Sequence, residues 1–218
     1  MYSKAKLHFK KADPILHQAA VDFEIPDLKI SENLFEDIVW TIVGQQLSGK
    51  AADTIFQRLR EQVATYSPAF TPEALLEMTD EEMRACGLSG AKSRAIKNLC
   101  EKIVAAELDL AAVALLEDQA VVDELTKIKG IGPWTAEMIL MFSLGRTDVF
   151  STGDLGLRKG AMELYGLKKL PDEKKLLLLA KKWSPYRTYA ARVLYRVADR
   201  KKLYASTTKK QPKISKKK

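Results

Sequence analysis

Asp154 is a candidate for chemistry in this 218-residue chain, at the end of Asp148-Val149-Phe150-Ser151-Thr152-Gly153-Asp154. A new helix can start there, and Gly153 leaves room for another backbone to come close. An ionised carboxylate so placed can stabilise positive charge developing on a reacting partner, and can orient or deprotonate a water. The same residue reads equally well as an acid in a helical first turn, with Ser151-Thr152-Gly153-Asp154 as a capping box.

A second constellation is Leu125-Thr126-Lys127-Ile128-Lys129-Gly130-Ile131-Gly132-Pro133-Trp134-Thr135-Ala136. Leu125 and Ile128 lie one turn apart and can pack inward. Gly130 and Gly132 permit a tight reversal, through φ angles or close approaches that a Cβ would hinder. Pro133 preorganises the next helix, whose first amides lack intrahelical partners and whose dipole favours an anion such as a phosphate. The main-chain carbonyls of Thr126, Ile128 and Ile131 in the same turn can hold a monovalent cation, Na+ or K+. A glycine-closed helix running into a proline-started one is also an ordinary turn in a bundle.

Composition narrows the classes. With 46% apolar residues the chain can bury a core in one large domain or two lobes. No apolar run approaches a membrane span, and Met-Tyr-Ser-Lys is not followed by a secretory apolar stretch. Cys86 and Cys100, the only cysteines, cannot supply a four-cysteine zinc site or iron–sulfur cluster. A reduced, soluble, intracellular protein is expected. The net charge of +8 is concentrated: Arg200 onward holds nine basic residues and no acid, so residues 1–199 come to −1. Such a tail raises non-specific nucleic-acid affinity or simply solubilises a disordered end. Bulk charge identifies no function.

The elements that must position these residues read as helices. Leu34, Ile38, Val39 and Ile42 mark a stripe over 33–44; Ala51, Ala52, Ile55, Phe56 and Leu59 mark another over 48–63. Thr71-Pro72-Glu73 is a cap with proline at the first helical position. Short helices are expected near 72–78 and 80–85, and a longer one over 92–106 carries Ile96, Leu99 and Ile103. Further helices fit 110–116, 118–128, the stretch from Pro133 with Ala136, Ile139, Leu140 and Phe142, then 153–165, 172–182 and 186–202. His8-Phe9-Lys10 reads as a short strand or irregular. No train of alternating strands appears, which argues against a doubly wound α/β enzyme. The expected fold is mainly all-α and bilobal. Residues 31–140 form a central bundle that includes the hairpin 125–136, residues 1–30 join 141–205 in a second lobe, and 206–218 form a basic, disordered tail.

Together with Gly44-Gln45-Gln46-Leu47-Ser48 and Gly87-Leu88-Ser89-Gly90-Ala91-Lys92, the two constellations resemble the helix-hairpin-helix DNA glycosylase superfamily over residues 30–200. Within it the chain is most similar to the DNA-3-methyladenine glycosylase II branch, in a compact form without that branch's N-terminal β-rich domain. The resemblance implies two helical lobes with a DNA-facing cleft between them and makes Asp154 the catalytic carboxylate. It puts Trp134 where lyase relatives carry a Schiff-base lysine; indole cannot form that amine adduct but can stack on an electron-poor base. Tyr186, in Trp183-Ser184-Pro185-Tyr186-Arg187, matches an aromatic that faces the flipped base. Phe35 and Trp40 are further pocket candidates, with at least one of them expected in the core.

The loop Gln45-Gln46-Leu47 resembles an inserting wedge, best matched by Gln46 where better-known relatives place Leu; base chemistry in a duplex needs such a brace. Gly130, Gly132, Thr135, Lys129 and Arg158 are the expected backbone contacts. Gly153 and Leu155 depart from relatives that carry Asp and Tyr there. The implied activity is monofunctional hydrolysis of the N-glycosidic bond of alkylated purines such as 3-methyladenine in base excision repair. Alternatives are a glycosylase for deaminated or oxidised bases, and a non-catalytic DNA-binding module. No cofactor is expected to be required and no iron–sulfur cluster. The expected partner is double-stranded DNA containing alkylated bases, with no membrane and no obligate protein partner. The chain is expected to be a monomer, cytoplasmic or nucleoid-associated in a prokaryote and nuclear in a eukaryote.

Overall fold

The computed structural model describes the backbone of residues 1–208 and the side chains of residues 1–200. Among the described residues there are helices and no strands. In chain order they are α1 (Tyr2–Ala12), α2 (Pro14–Asp22), α3 (Leu34–Gly44), α4 (Gly49–Val63), α5 (Pro72–Glu77), α6 (Asp80–Ala85) and α7 (Gly90–Val104). There follow α8 (Leu110–Ala114), α9 (Asp118–Thr126), α10 (Pro133–Phe142), α11 (Leu155–Leu164), α12 (Glu173–Lys181) and α13 (Arg187–Thr208). None of the described helices is long and apolar enough to cross a membrane.

The chain divides into two units. One is continuous, Lys29–Arg146; the other joins Met1–Leu28 to the chain from Thr147 onward. The break falls after Arg146 rather than after 140 because the end of α10 stays with the continuous unit. The Arg146 amide donates to the Leu140 carbonyl at 2.9 Å, and its Nη2 donates to the carbonyls of Ala114 and Leu116 at 3.0 and 2.8 Å.

In the continuous unit α3 packs on α4, α7 and α10, while α5 and α6 lie on α7 and α9 lies on α10. Ile38, Val39, Ile42 and Val43 from α3 meet Ile96 and Leu99 from α7 and Ala136, Ile139 and Met141 from α10 in its core. Helix α10 is apolar on nearly every face because it is buried on nearly every face. Its last residue, Phe142, breaks the expected stripe and lies 47% exposed. On α4 the fully inward positions are Ala52, Leu59 and Val63, with Ala51, Ile55 and Phe56 only half-buried. Side chains hold the helix starts: Asn33, Ser48, Thr71 and Ser89 each accept an amide two or three residues into the helix, and Thr79 with Glu82 forms a capping box.

The discontinuous unit corrects the reading of the first 30 residues. His8-Phe9-Lys10 is neither strand nor irregular but part of α1, which buries Tyr2, Ala5 and Phe9 on one stripe. Asp13 ends α1 and caps α2, its Oδ1 accepting the Leu16 amide at 3.1 Å, with Pro14 at the first helical position. The other Asp13 oxygen accepts from the Tyr165 hydroxyl at 2.7 Å and from Trp183 Nε1 at 3.0 Å. That buried carboxylate and its own desolvation push the Tyr165 hydroxyl well above its ordinary range, desolvation being the larger cause. Helix α13 runs on to Thr208, past the expected end at 202 and through 206–208 of the tail expected to be disordered over 206–218; residues 209–218 of that tail lie outside the described residues.

Candidate active site

Asp154 is the N-cap of α11, and its burial leaves it only 8% exposed. Its Oδ1 accepts the Leu157 amide at 2.7 Å, so the side chain itself caps the helix that the capping-box alternative had assigned to Ser151. The carboxylate thus sits at the positive end of the α11 dipole. Helix α11 is pinned tightly on α13: a Cβ on Gly160 would fall 2.2 Å from the Leu194 carbonyl oxygen.

The irregular stretch that leads into Asp154 is stitched to the start of α13. The Thr188 amide donates to the Thr147 carbonyl at 3.0 Å, and the Val149 amide donates to Thr188 Oγ1 at 3.1 Å. Asp148 takes both Arg187 Nε and Nη2, at 2.7 and 3.1 Å, together with Ser184 Oγ at 2.7 Å. Burial alone would raise the Asp148 carboxyl, but the hydrogen bonds from Arg187 and Ser184 outweigh it and hold it below its ordinary value. Tyr186, between those two partners, is half-buried with its ring 5.6 Å from that of His8. Arg158, expected on a phosphate, has its Nε committed to the Pro171 carbonyl at 2.8 Å.

The continuous unit carries the hairpin and the wedge loop. Gly130 sits at φ +103°, and a Cβ there would collide with the Ala95 side chain at 2.4 Å, so this position needs glycine twice over. Gly132 needs it for neither reason expected. Its φ is −101°, and a Cβ would meet no atom within 4 Å. As the N-cap of α10 it brings no side chain to that helix start. Trp134 is half-buried in the first turn, and Lys129 is exposed with its carbonyl held by Asn98 Nδ2 at 2.9 Å. Thr126 and Ile128 lie just before the turn and Ile131 within it; the Ile128 carbonyl accepts the Ile131 amide at 3.0 Å.

Between α3 and α4, Gln46 adopts φ +59° and is exposed, and Leu47 is 41% exposed beside it. Gln45 turns the other way. Its Nε2 donates to Thr135 Oγ1 at 3.0 Å and to the Gly130 carbonyl at 3.3 Å. This corrects two expectations together: Gln45 is a tie rather than part of the wedge, and the Thr135 side chain, 1% exposed, faces Gln45 and not an outside phosphate. Phe35 is likewise core, 8% exposed and 6.0 Å from the Phe70 ring, whereas Trp40 is 39% exposed with its Nε1 on Asp53 at 3.1 Å.

Lys92, given no role from the sequence, proves central to this loop. Its ammonium donates to the Val43 and Gln45 carbonyls at 2.8 and 2.9 Å, and burial lowers its pKa. Asn98, six residues further along α7, was missed as well. Nothing in either residue type marks them; their three-residue spacing through Ala95 on one face of α7 is the signal that was there to find.

A helix-hairpin-helix turn, a glutamine-containing loop and a buried aspartate capping a later helix define a class, and comparison with known proteins agrees. Residues 39–185 match the HhH-GPD superfamily base excision DNA repair protein model. The chain belongs to the HhH-GPD superfamily of base excision DNA repair proteins. Among its relatives is DNA-3-methyladenine glycosylase 1 of Schizosaccharomyces pombe, 36% identical over 165 residues that cover 75% of this chain and 72% of the relative. A solved structure of 3-methyladenine DNA glycosylase from that yeast, in complex with abasic DNA, is 33% identical with a TM-score of 0.79. It covers 88% of this chain and 95% of that one. The DNA-3-methyladenine glycosidase structure from Bacillus halodurans is 40% identical with a TM-score of 0.70, covering 88% of each.

Proposed function

We propose that this chain hydrolyses the N-glycosidic bond of alkylated purines such as 3-methyladenine in double-stranded DNA, leaving an abasic site without cutting the strand. The observation that carries the reading is Asp154: an 8%-exposed carboxylate with one oxygen anchored on the Leu157 amide at 2.7 Å. A carboxylate held this firmly at a helix start is preorganised to stabilise positive charge as it develops on the deoxyribose. It can also orient a water toward C1′. One carboxylate suffices because a cationic alkylated base is already a good leaving group. The relatives named as 3-methyladenine glycosylases support the same substrate class.

The other roles follow from placement. Gly132 leaves the α10 start without a side-chain cap and its Cβ direction open, which suits a DNA phosphate approaching those amides. Exposed Lys129 adds long-range attraction. Gln46 and Leu47, both exposed at the loop tip, brace the stack after the base leaves it. Trp134 and Trp40 in the continuous unit, and Tyr186 in the other, each carry an aromatic face of the kind an extruded base stacks on. The carbonyls of Thr126, Ile128 and Ile131 are hard, uncharged oxygen donors, a set suited to Na+ or K+ and not to a transition metal. Such an ion would add positive charge near the phosphate seat.

The absence of strand cleavage rests on Trp134, which stands where lyase relatives carry lysine and has no amine to offer. The test incubates the protein with a 3-methyladenine duplex and sodium borohydride, and follows free base and covalent protein–DNA adduct together. Free base without adduct is expected. Efficient trapping that disappears when one particular lysine is replaced would overturn the monofunctional reading.

A further inference from the structure

The exposed loop 44–47 and the hairpin 128–135 are about 85 residues apart in sequence, yet they share their supports. Gln45 joins them directly, with one side-chain amide on the Gly130 carbonyl and on Thr135 Oγ1. Helix α7 joins them a second time. Lys92 holds the Val43 and Gln45 carbonyls, Ala95 abuts Gly130 so closely that a Cβ would collide, and Asn98 holds the Lys129 carbonyl. Residues 92, 95 and 98 are three apart and so lie along one face of the helix. One side of α7 therefore carries the loop at its start and the hairpin about one to two turns further on.

We infer that Gln45 and Lys92 are positioning residues that make the loop and the hairpin a single part, so that seating the hairpin on a phosphate fixes where Gln46 and Leu47 enter the base stack. The inference rests on the proposed roles of loop and hairpin. Neither Gln45 nor Lys92 touches the reacting atoms. Their contribution is register: a loop cut free of the hairpin still reaches DNA, but no longer at a set distance from the gripped phosphate. The Gln45–Thr135 bond and the two Lys92 bonds are part-buried, which shields them from exchange with water as a rigid link needs.

The experiment compares Gln45→Met and Lys92→Met, which keep side-chain length and lose the hydrogen bonds, with Lys92→Arg, which keeps a cationic donor. Base release under single turnover is measured on 3-methyladenine paired in a duplex and on the same base in a single strand, where no stack has to be opened. Loss of one or two hydrogen bonds from the link is expected to slow the duplex reaction about tenfold. The single-strand reaction should change less than about twofold, and Lys92→Arg should recover part of the duplex rate. Equal losses on both substrates, or none on either, would overturn the inference. Hydrogen exchange of the DNA-free proteins gives a readout independent of activity: Gln45→Met should speed exchange at amides 129–132 while the amides of α5 and α6 stay as they were. Unchanged exchange at the hairpin would overturn the link even if catalysis fell. If the unsubstituted protein releases no base from either substrate, the proposed activity fails and the exchange result still decides the link.

Discussion

Two helix starts in this molecule are finished in opposite ways. Helix α10 begins at Gly132, which has no side chain to offer, while α11 begins at Asp154, whose carboxylate accepts the Leu157 amide and is nearly buried. The first start leaves its positive end for something outside the protein; the second has filled that end with a charge of its own. A helix dipole can thus recruit an anion or stabilise a resident one, and the residue at the cap decides which. On the proposed roles, the same backbone device serves grip in one unit and chemistry in the other.

The largest test separates the two jobs of Asp154. Asparagine caps helices as well as aspartate does but carries no charge. Asp154→Asn is therefore expected to keep the thermal stability within about 0.5 kcal/mol and to lower single-turnover base release about 10²–10³-fold. Base release at the unsubstituted rate would reduce Asp154 to a cap and erase the contrast with Gly132.

The hairpin offers the next test. Gly130→Ala places a Cβ 2.4 Å from the Ala95 side chain at φ +103°, and is expected to destabilise the protein by about 1–3 kcal/mol on denaturant titration. Gly132→Val meets open space at an ordinary φ and should cost at most about 1 kcal/mol. It should nevertheless weaken binding to damaged and undamaged duplex by a similar severalfold factor, because a backbone contact does not read the lesion. A loss confined to one lesion would show that this start shapes the pocket instead.

The smallest effect sits upstream of Asp154. The Asp148 carboxyl is held below its ordinary value of 3.8 by Arg187 and Ser184, against the opposing pull of burial. A depressed carboxylate contributes stability that is fully present above 3.8 and is lost as pH falls through the lower folded value. Asp148→Asn should therefore lower Tm at neutral pH, and the gap should close as the solution is acidified past that range. A gap that stays constant with pH would mean that the charge on Asp148 is not what holds the stretch leading to Asp154.

How much of this was legible depended on where the partners lie. The stripes of α3 and α7 and the Gly-Pro start of α10 are local patterns, and they appear in the structure close to where periodicity puts them. Asp154 was legible as lying near a helix start, but the capping-box pattern pointed to Ser151 as the cap, and only the resemblance singled out Asp154 for chemistry. Helix α1 was missed although Tyr2, Ala5 and Phe9 are spaced for a stripe, since the lysines between them dilute it; the Asp13-Pro14 start signal was present and unused. Gln45 could not be read from its neighbours. Beside exposed Gln46 it looks like another loop-tip residue, and only acceptors on the hairpin turn it inward. Phe35 carries the same lesson, its place being decided by Phe70 across the unit.

The buried Asp13 carboxylate bears on the order in which the chain can be completed. Its partners Tyr165 and Trp183 lie 152 and 170 residues downstream, so during synthesis α1 and α2 emerge first and must wait for nearly everything else. Residues 29–146 form a continuous unit, tied within its own span by bonds such as Gln45 on Gly130 and Asn98 on Lys129. Closing so long a loop is slow relative to forming local contacts, which makes the continuous unit the part that assembles early. The unit that holds Asp154 is thus the one that closes last, and a ribosome stalled before residue 183 would carry a folded continuous unit and an unfinished second one.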